Sequence, residues 1–510
     1  MRRLASLAWA ALGTTLLGLG ALPGARVPII GDDLQAFFES YDFSDGSITG
    51  ALAWGWGQGQ LAGHFNPVGQ ALGALYHFGA YAVTTALETS PQVYDVVVGG
   101  GLLWLAVLAA TMTVTWGVRQ TAPHVRMDFW RVFALVATTT GVTIQLHPWS
   151  NDPVTSFGPA GWGSAALGFL LLGLALRGTV PGRDAGRTLV VDAVVVTVVA
   201  VVAVLYYEML VGPIAGSAVV YALALVRGGR RRDRAASLRA AVLGAAGVVL
   251  PAVVFVGARL FALAPTESNY TGTTLALGPD ALATWWAAML GALPGGGWLF
   301  LIPEAGGVPL SLRVLGYTAA VLVGIAVLVW AWVRVPLPPA PRGRSGLLLV
   351  GGVLAVWAAT TATQASSQKY IDEITLPGQV YLYYAVGVVS VAVLLSWAVL
   401  VLAPRARRGA SLVAMLLLGA YLTVQLPLNW QLSEVSAVAF APNRVLAGAA
   451  STDDLPVERR CAAMLSWAQR PWPEYYRDAV VTNAQQSFEQ RFGTPLCTDD
   501  AVLAEIDRIP

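Results

Sequence analysis

The stretch RRLASLAWAALGTTLLGLGALPGARVPIIGDDLQAFFESYD, residues 2–42, decides the architecture. Two arginines precede an apolar run, and about twenty apolar residues suffice to cross a bilayer. Basic residues stay on the cytoplasmic side, so the acidic pair Asp32–Asp33 emerges on the outer face. The same start also reads as a cleavable signal peptide, with ALPGA following the apolar run. On either reading residues 31–92 lie outside.

The rest of the 510-residue chain continues in this manner. It is 56% hydrophobic and only 12% charged, with a mean hydropathy of +0.62. Soluble domains carry about 25% charged residues. Half that share cannot cover a water-soluble body, which excludes a cytosolic enzyme, a nucleic-acid binder and a disordered scaffold. Eleven apolar segments have the length of a span: 5–24, 93–117, 131–147, 160–176, 188–205, 209–226, 240–262, 314–333, 346–363, 383–403 and 410–427. The expected fold is an all-α polytopic membrane protein with outer interfacial helices.

The arginines orient it. With the N-terminus inside, twenty basic residues fall in cytoplasmic segments, six of them in RGGRRRDRAASLR. Only Arg26, Arg259, Arg313 and Lys369 fall in the outer loops. Residues 66–87 are apolar enough to span, but counting them would turn the arginine-rich loop at 119–131 outward. They are therefore expected as a helix on the outer face. This layout places the chain in a bacterial cytoplasmic membrane.

From residue 428 the sequence becomes polar, and two or three short helices are expected there, forming a small outer domain (428–510) beside a transmembrane domain (1–427). Cys461 and Cys497, the two cysteines, would meet an oxidising compartment and pair.

The inner loops are short and hold no phosphate-binding glycine loop. No span carries a charge near its middle, which argues against a pump or an ion-coupled transporter. The chemistry-bearing residues lie outside. Asp32 and Asp33 follow the first span, and 34–42 reads as a short amphipathic helix. His147, Asn151 and Asp152 follow the third span. Lys369, the single lysine, stands beside Tyr370 in the loop 364–382. The plain readings are a helix cap for the acidic pair, an Asn-Asp-Pro turn for Asp152 and snorkelling to headgroups for the cations. Trp54 and Trp56 suit sugar stacking or an interfacial belt.

These features together resemble the GT-C superfamily of membrane glycosyltransferases, which includes protein O-mannosyltransferases and aminoarabinose transferases. They are the acidic pair outside the first span, HFNPVG (His64 to Gly69) in place of an HPPL-like element, a second acid after the third span, a substrate loop between the ninth and tenth spans, and a small outer domain. The likeness covers about the first 180 residues, and the remainder only as topology. It implies transfer of a sugar from a polyprenyl-phosphate-linked donor to a glycan, glycolipid or protein acceptor of the cell envelope, with membrane lipid as a partner and no nucleic acid. Asp33 or Asp32 would be the base, and Asp152 would orient the acceptor. Lys369, Arg259 and Arg313 are the candidates for the donor phosphate. His64, Asn151, His147 and Tyr370 would line the substrate loops. No cofactor is required, although a divalent metal held by His64 or His147 with Asp152 is conceivable. Two rival readings stay open: a polysaccharide polymerase, and a non-catalytic flippase or assembly partner.

Overall fold

The structure, a computed structural model, describes residues 2–61, 66–121, 127–147, 152, 154–181, 187–261, 274–309, 311–334, 346–379, 382–402, 408–450 and 452–509. Among these the chain is helical throughout, apart from one isolated bridge between Leu275 and Ser367. It opens with α1 (Arg2–Ala21), α2 (Asp32–Asp42), α3 (Ile48–Leu61), α4 (Pro67–Ala86) and the short α5 (Pro91–Tyr94). The bundle follows with α6 (Gly100–Thr121), α7 (Phe129–Thr143), α8 (Ser164–Gly178), α9 (Arg187–Tyr206), α10 (Val211–Arg231), α11 (Arg234–Gly244) and α12 (Leu250–Phe261). After it come α13 (Pro279–Gly291), α14 (Trp298–Glu304), α15 (Leu312–Arg334), α16 (Gly346–Ala365), α17 (Gln368–Glu373), α18 (Tyr383–Leu402) and α19 (Arg408–Ala439). Four further helices close the described chain: α20 (Ala441–Ala449), α21 (Val457–Ala468), α22 (Glu474–Phe492) and α23 (Asp500–Ile506).

Ten helices among the described residues are long and apolar enough to cross a membrane, by length and composition. The expected count was eleven, and the difference is α7. It has 15 residues, or about 22 Å at 1.5 Å per residue. The expected span 131–147 ends early because residues 144–147 leave the helix. Side chains from other elements take over their backbone bonds. Tyr384 Oη accepts from the Gln145 N–H at 2.7 Å. Asn429 accepts from the Leu146 N–H at 3.0 Å and donates to Ile144 O at 2.8 Å. Short as it is, α7 is buried along nearly its whole length, packed between α1, α6 and α18.

Close backbone approach sets the α1–α7 contact. A Cβ on Gly20 would lie 2.3 Å from the Gly141 carbonyl oxygen. With no hydrophobic drive between helices in lipid, such small-residue contacts supply the packing. At the arginine-rich end of the bundle a polar knot ties four helices. Buried Arg239 of α11 pairs with Asp192 of α9 and donates through Nε to Gly178 O of α8 at 2.6 Å. Arg227 of α10 donates to Thr179 O at 2.9 Å. Both partners of the buried pair sit within the first turns of their helices, so the spans still carry no charge at mid-depth.

Two expectations change at the other end. The helix expected at 410–427 runs through Pro427 to Ala439, so the small helical unit begins with α20 rather than at residue 428. It comprises four short helices instead of two or three. Nor does it stand apart. Leu34, Phe37 and Phe38 of α2 repeat at helical spacing and enter one apolar core with Tyr81 of α4 and with Trp467, Val480 and Phe488 of the tail. The Cys461–Cys497 disulfide is formed inside that core. The helix expected at 34–42 is therefore α2, but it is sandwiched between α4 and α22 instead of lying on the surface. Residues 66–87 form α4, which is not among the ten span-length apolar helices.

Candidate functional site

The site is built where α2 begins. Gly31 precedes the helix at φ 56°, a left-handed position that suits glycine. Its carbonyl accepts from the Tyr476 hydroxyl at 2.5 Å, so the tail fixes the turn that starts α2. Asp32 and Asp33 fall in the first turn of α2, where the helix dipole favours negative charge. Neither is the N-cap, so the simple capping role does not describe them.

The two acids face different surroundings. Asp33 is 4% exposed. Its Oδ2 accepts from the Phe157 N–H at 2.7 Å, and its Oδ1 has no hydrogen-bond partner. Phe157 holds that N–H in place at φ 53°, a conformation L-residues rarely adopt. Burial pushes the Asp33 carboxyl well above the ordinary carboxylate range, helped by the charges of Asp95 and Asp32, while the Phe157 bond pulls the other way. His77 of α4 brings Nε2 to 3.5 Å from Oδ1. Burial lowers His77 to about 4, so at neutral pH a neutral imidazole faces the carboxyl and the contact is not an ion pair. The other ring nitrogen of His77 has no partner. Beside them the Tyr76 hydroxyl donates to Asp95 Oδ1 at 2.8 Å. Burial and the neighbouring Asp95 and Asp33 hold Tyr76 in its protonated form.

The charge of Asp32 also reaches the loop at 364–382. Glu373 of α17 is raised by burial, lowered by the charge of Lys369 and raised by that of Asp32. Asp32, Lys369 and Glu373 are thus electrostatic neighbours. Backbone bonds from Ala276 to Ser366 and from Gln368 to Thr274 hold this loop in position. Asp32 and Lys369, far apart in sequence, both act on Glu373.

Asp152 has a different character. Its Oδ2 accepts from the His147 N–H and its Oδ1 from the Val154 N–H, both at 2.8 Å. A third backbone bond comes from Thr155, yet burial still pushes the carboxyl up to about 7. With both oxygens occupied, Asp152 organises the turn whose far end presents the Phe157 N–H to Asp33. An asparagine would keep one acceptor and set an amide N–H against the other donor. Asp152→Asn is expected to lower stability by about 1–3 kcal/mol, read as a falling thermal midpoint of the purified protein. Activity should fall together with the midpoint.

The remaining expected residues divide. His147 is buried edge-on to Tyr384, ring centroids 5.0 Å apart, with neither ring nitrogen partnered. Tyr370 is part of the main apolar core. Arg313 lies within electrostatic reach of Glu434, which Arg26 contacts at 3.0 Å. His64, Asn151 and the Arg259 side chain lie outside the described residues. Among the described residues no group of three or more His, Cys, Asp or Glu side chains is arranged to hold a metal ion.

Sequence reading passed over Tyr76, His77 and Asp95 as site residues. Asp95 carried the best available signal, since an ionisable residue at the start of an apolar span is costly and marks function by default. Below it a groove of about 240 Å³ opens between α1 and α6, bordered by Gly18, Ala21, Asp95, Gly100, Thr155 and Trp162, among others. No protein-family profile, no curated protein and no solved structure matches this chain.

Proposed function

We propose that this protein is a multi-pass glycosyltransferase of GT-C type in a bacterial cytoplasmic membrane. It moves a sugar from a polyprenyl-phosphate donor to an envelope acceptor on the outer face, with α2 to α4 and the tail outside and the N-terminus in the cytoplasm. The observation that carries the reading is Asp33: a buried carboxylate with one unpartnered oxygen and a raised pKa, at the outer end of α1 and close to a groove between two span-length helices.

In this reading Asp33 takes the proton of the acceptor hydroxyl. The oxygen then forms the new bond to the anomeric carbon, and the bond to the lipid phosphate breaks with its electron pair going to the phosphate. A carboxylate raised toward the working pH is suited to such proton removal. Lys369, which like Asp32 acts on Glu373, supplies positive charge for the leaving phosphate. His77 and the Phe157 N–H hold the Asp33 carboxyl in orientation. Phosphate-linked donors need no nucleotide-binding domain, which agrees with the short inner loops.

The test supplies membranes containing the protein with radiolabelled polyprenyl-phosphate sugars, one at a time. One donor is expected to be consumed, with polyprenyl phosphate released, in membranes carrying the native chain and not in membranes carrying Asp33→Asn. Equal, background-level consumption of every donor by both would overturn the proposal and leave a non-catalytic role.

A further inference from the structure

The groove between α1 and α6 has a chemistry that the proposed reaction does not by itself require. At one end the Trp104 indole N–H donates to Thr14 Oγ1 at 3.1 Å, and both residues line the groove. From Thr14 to Ala21 the wall climbs about 10 Å at 1.5 Å per residue. The walls are apolar and include Gly18 and Gly100, and a Cβ added at either meets no heavy atom within 4 Å. The groove is thus open along both helices. At about 240 Å³ it is smaller than the ~300–1,000 Å³ of a typical small-molecule pocket and suits one lipid chain.

The polar groups gather at the other end. Asp95 gives Oδ1 to the Tyr76 hydroxyl, while its Oδ2 accepts no bond from a described residue. Gln92 lines the same end, and its side-chain N–H₂ is buried without a partner. The groove therefore offers the Asp95 acceptor and the Gln92 donor, together with the unpartnered Thr155 hydroxyl. No Lys, Arg or His is among its lining residues. The nearest guanidinium in sequence, Arg26, is turned away onto Glu434 at 3.0 Å and the Trp430 ring at 4.7 Å.

A phosphate only accepts hydrogen bonds and carries negative charge, so here it would meet the Asp95 carboxylate with no cation to offset it. A hydroxyl both donates and accepts, and so satisfies Asp95 and Gln92 together. We infer that this groove binds the acceptor and that the acceptor is a neutral, hydroxyl-headed lipid, a glycolipid, its chain between α1 and α6 and its head group beside Asp95. The inference rests on the glycosyltransferase reading for the word acceptor. The binding site itself does not depend on it.

Two photoreactive probes test it on the full chain in lipid nanodiscs: a diazirine-bearing dodecyl glucoside and a diazirine-bearing farnesyl phosphate. Labelled peptides are located by mass spectrometry. The glucoside is expected to label residues 14–28 and 92–104 at least tenfold more than the phosphate does. Gly18→Leu and Gly100→Leu each put a side chain into the groove from a Cβ that meets no heavy atom within 4 Å and should cut that labelling to a tenth or less. Gly101→Leu, whose Cβ also meets nothing but which does not line the groove, should leave it unchanged. Equal or stronger labelling by farnesyl phosphate, or glucoside labelling indifferent to leucine at 18 and 100, overturns the inference. Labelling needs no turnover. A chain that labels as expected yet consumes no donor keeps this lipid site and loses the proposed reaction. A chain that consumes donor but fails the labelling test keeps the reaction and loses the site.

Discussion

Asp33→Asn is expected to reduce sugar transfer by about 10²–10⁴-fold, the usual contribution of a positioned general base, without loss of fold. The asparagine is nearly the same shape, and its oxygen can still accept from the Phe157 N–H. Stability should hold or rise, and the sign follows from linkage. Burial raises the Asp33 pKa in the folded chain, so between the ordinary value of about 4 and the raised one the folded state binds more protons than the unfolded state. Stability contributed by the group is therefore present at low pH and lost as pH rises through that window. Asparagine never ionises and escapes the loss. Activity runs the other way. The base must be ionised, so the acidic limb of kcat/KM should lie above the ordinary carboxylate range. Thermal melts and a pH–rate profile of the native and Asp33→Asn proteins check both halves. A variant that keeps full activity refutes the base assignment, and one that fails to fold fails the stability half. Asp32→Asn removes a charge that helps raise Asp33 and acts on Glu373, so it should move the acidic limb downward and alter the donor KM while keeping transfer.

The second large effect concerns the disulfide. Cys461 and Cys497 are 36 residues apart, and closing such a loop stabilises by about 4 kcal/mol in the chain-entropy account. Double replacement by serine should therefore unfold α21 to α23 well before the bundle. The consequence reaches the site. The tail anchors the start of α2 through Tyr476 on Gly31 and Asn443 Nδ2 on Ile29 O at 2.9 Å, and further along through Asn483 on Glu39 at 3.2 Å. Transfer should drop at least tenfold in the serine variant, with protease sensitivity confined to residues after 440. A non-reducing gel of native membranes checks the compartment as well. A fully reduced pair in growing cells would contradict an outer location for the tail.

Much of this was legible in the sequence, and what was not has physical reasons. Apolar runs reveal spans because every backbone group in lipid must be satisfied within its own helix. The third run is helical for only part of its expected length, for that same reason. Residues 144–147 are buried, but Tyr384, Asn429 and Asp152 supply their backbone partners, and no periodicity announces Tyr384 or Asn429, more than two hundred residues away. The acidic pair could be picked out by its place after the first span. Which of the two is buried could not, since neighbouring helical residues differ only in what packs against them. Asp33 is closed in by α4 and the 152–158 turn, Asp32 is not. His77 read as one polar residue on an apolar helix, and Asp95 as the start of a span. Their meeting depends on how α4 and the start of α6 fold back over α2. The role of Asp152 shifted in the same way, from a candidate for chemistry to the organiser of the turn that holds Asp33.

Phe37 and Phe488 share one core although about 450 residues separate them. At roughly 5–20 residues per second of synthesis, the later partner arrives some 20–90 s after the earlier one. Until then α2 has no mate, and the carboxylate beside it has no fixed pose. On the proposed reaction, a ribosome that stalls before the last helices would leave a product without a fixed base. Completion of translation would then license the chemistry, and prematurely terminated copies would spend no donor lipid.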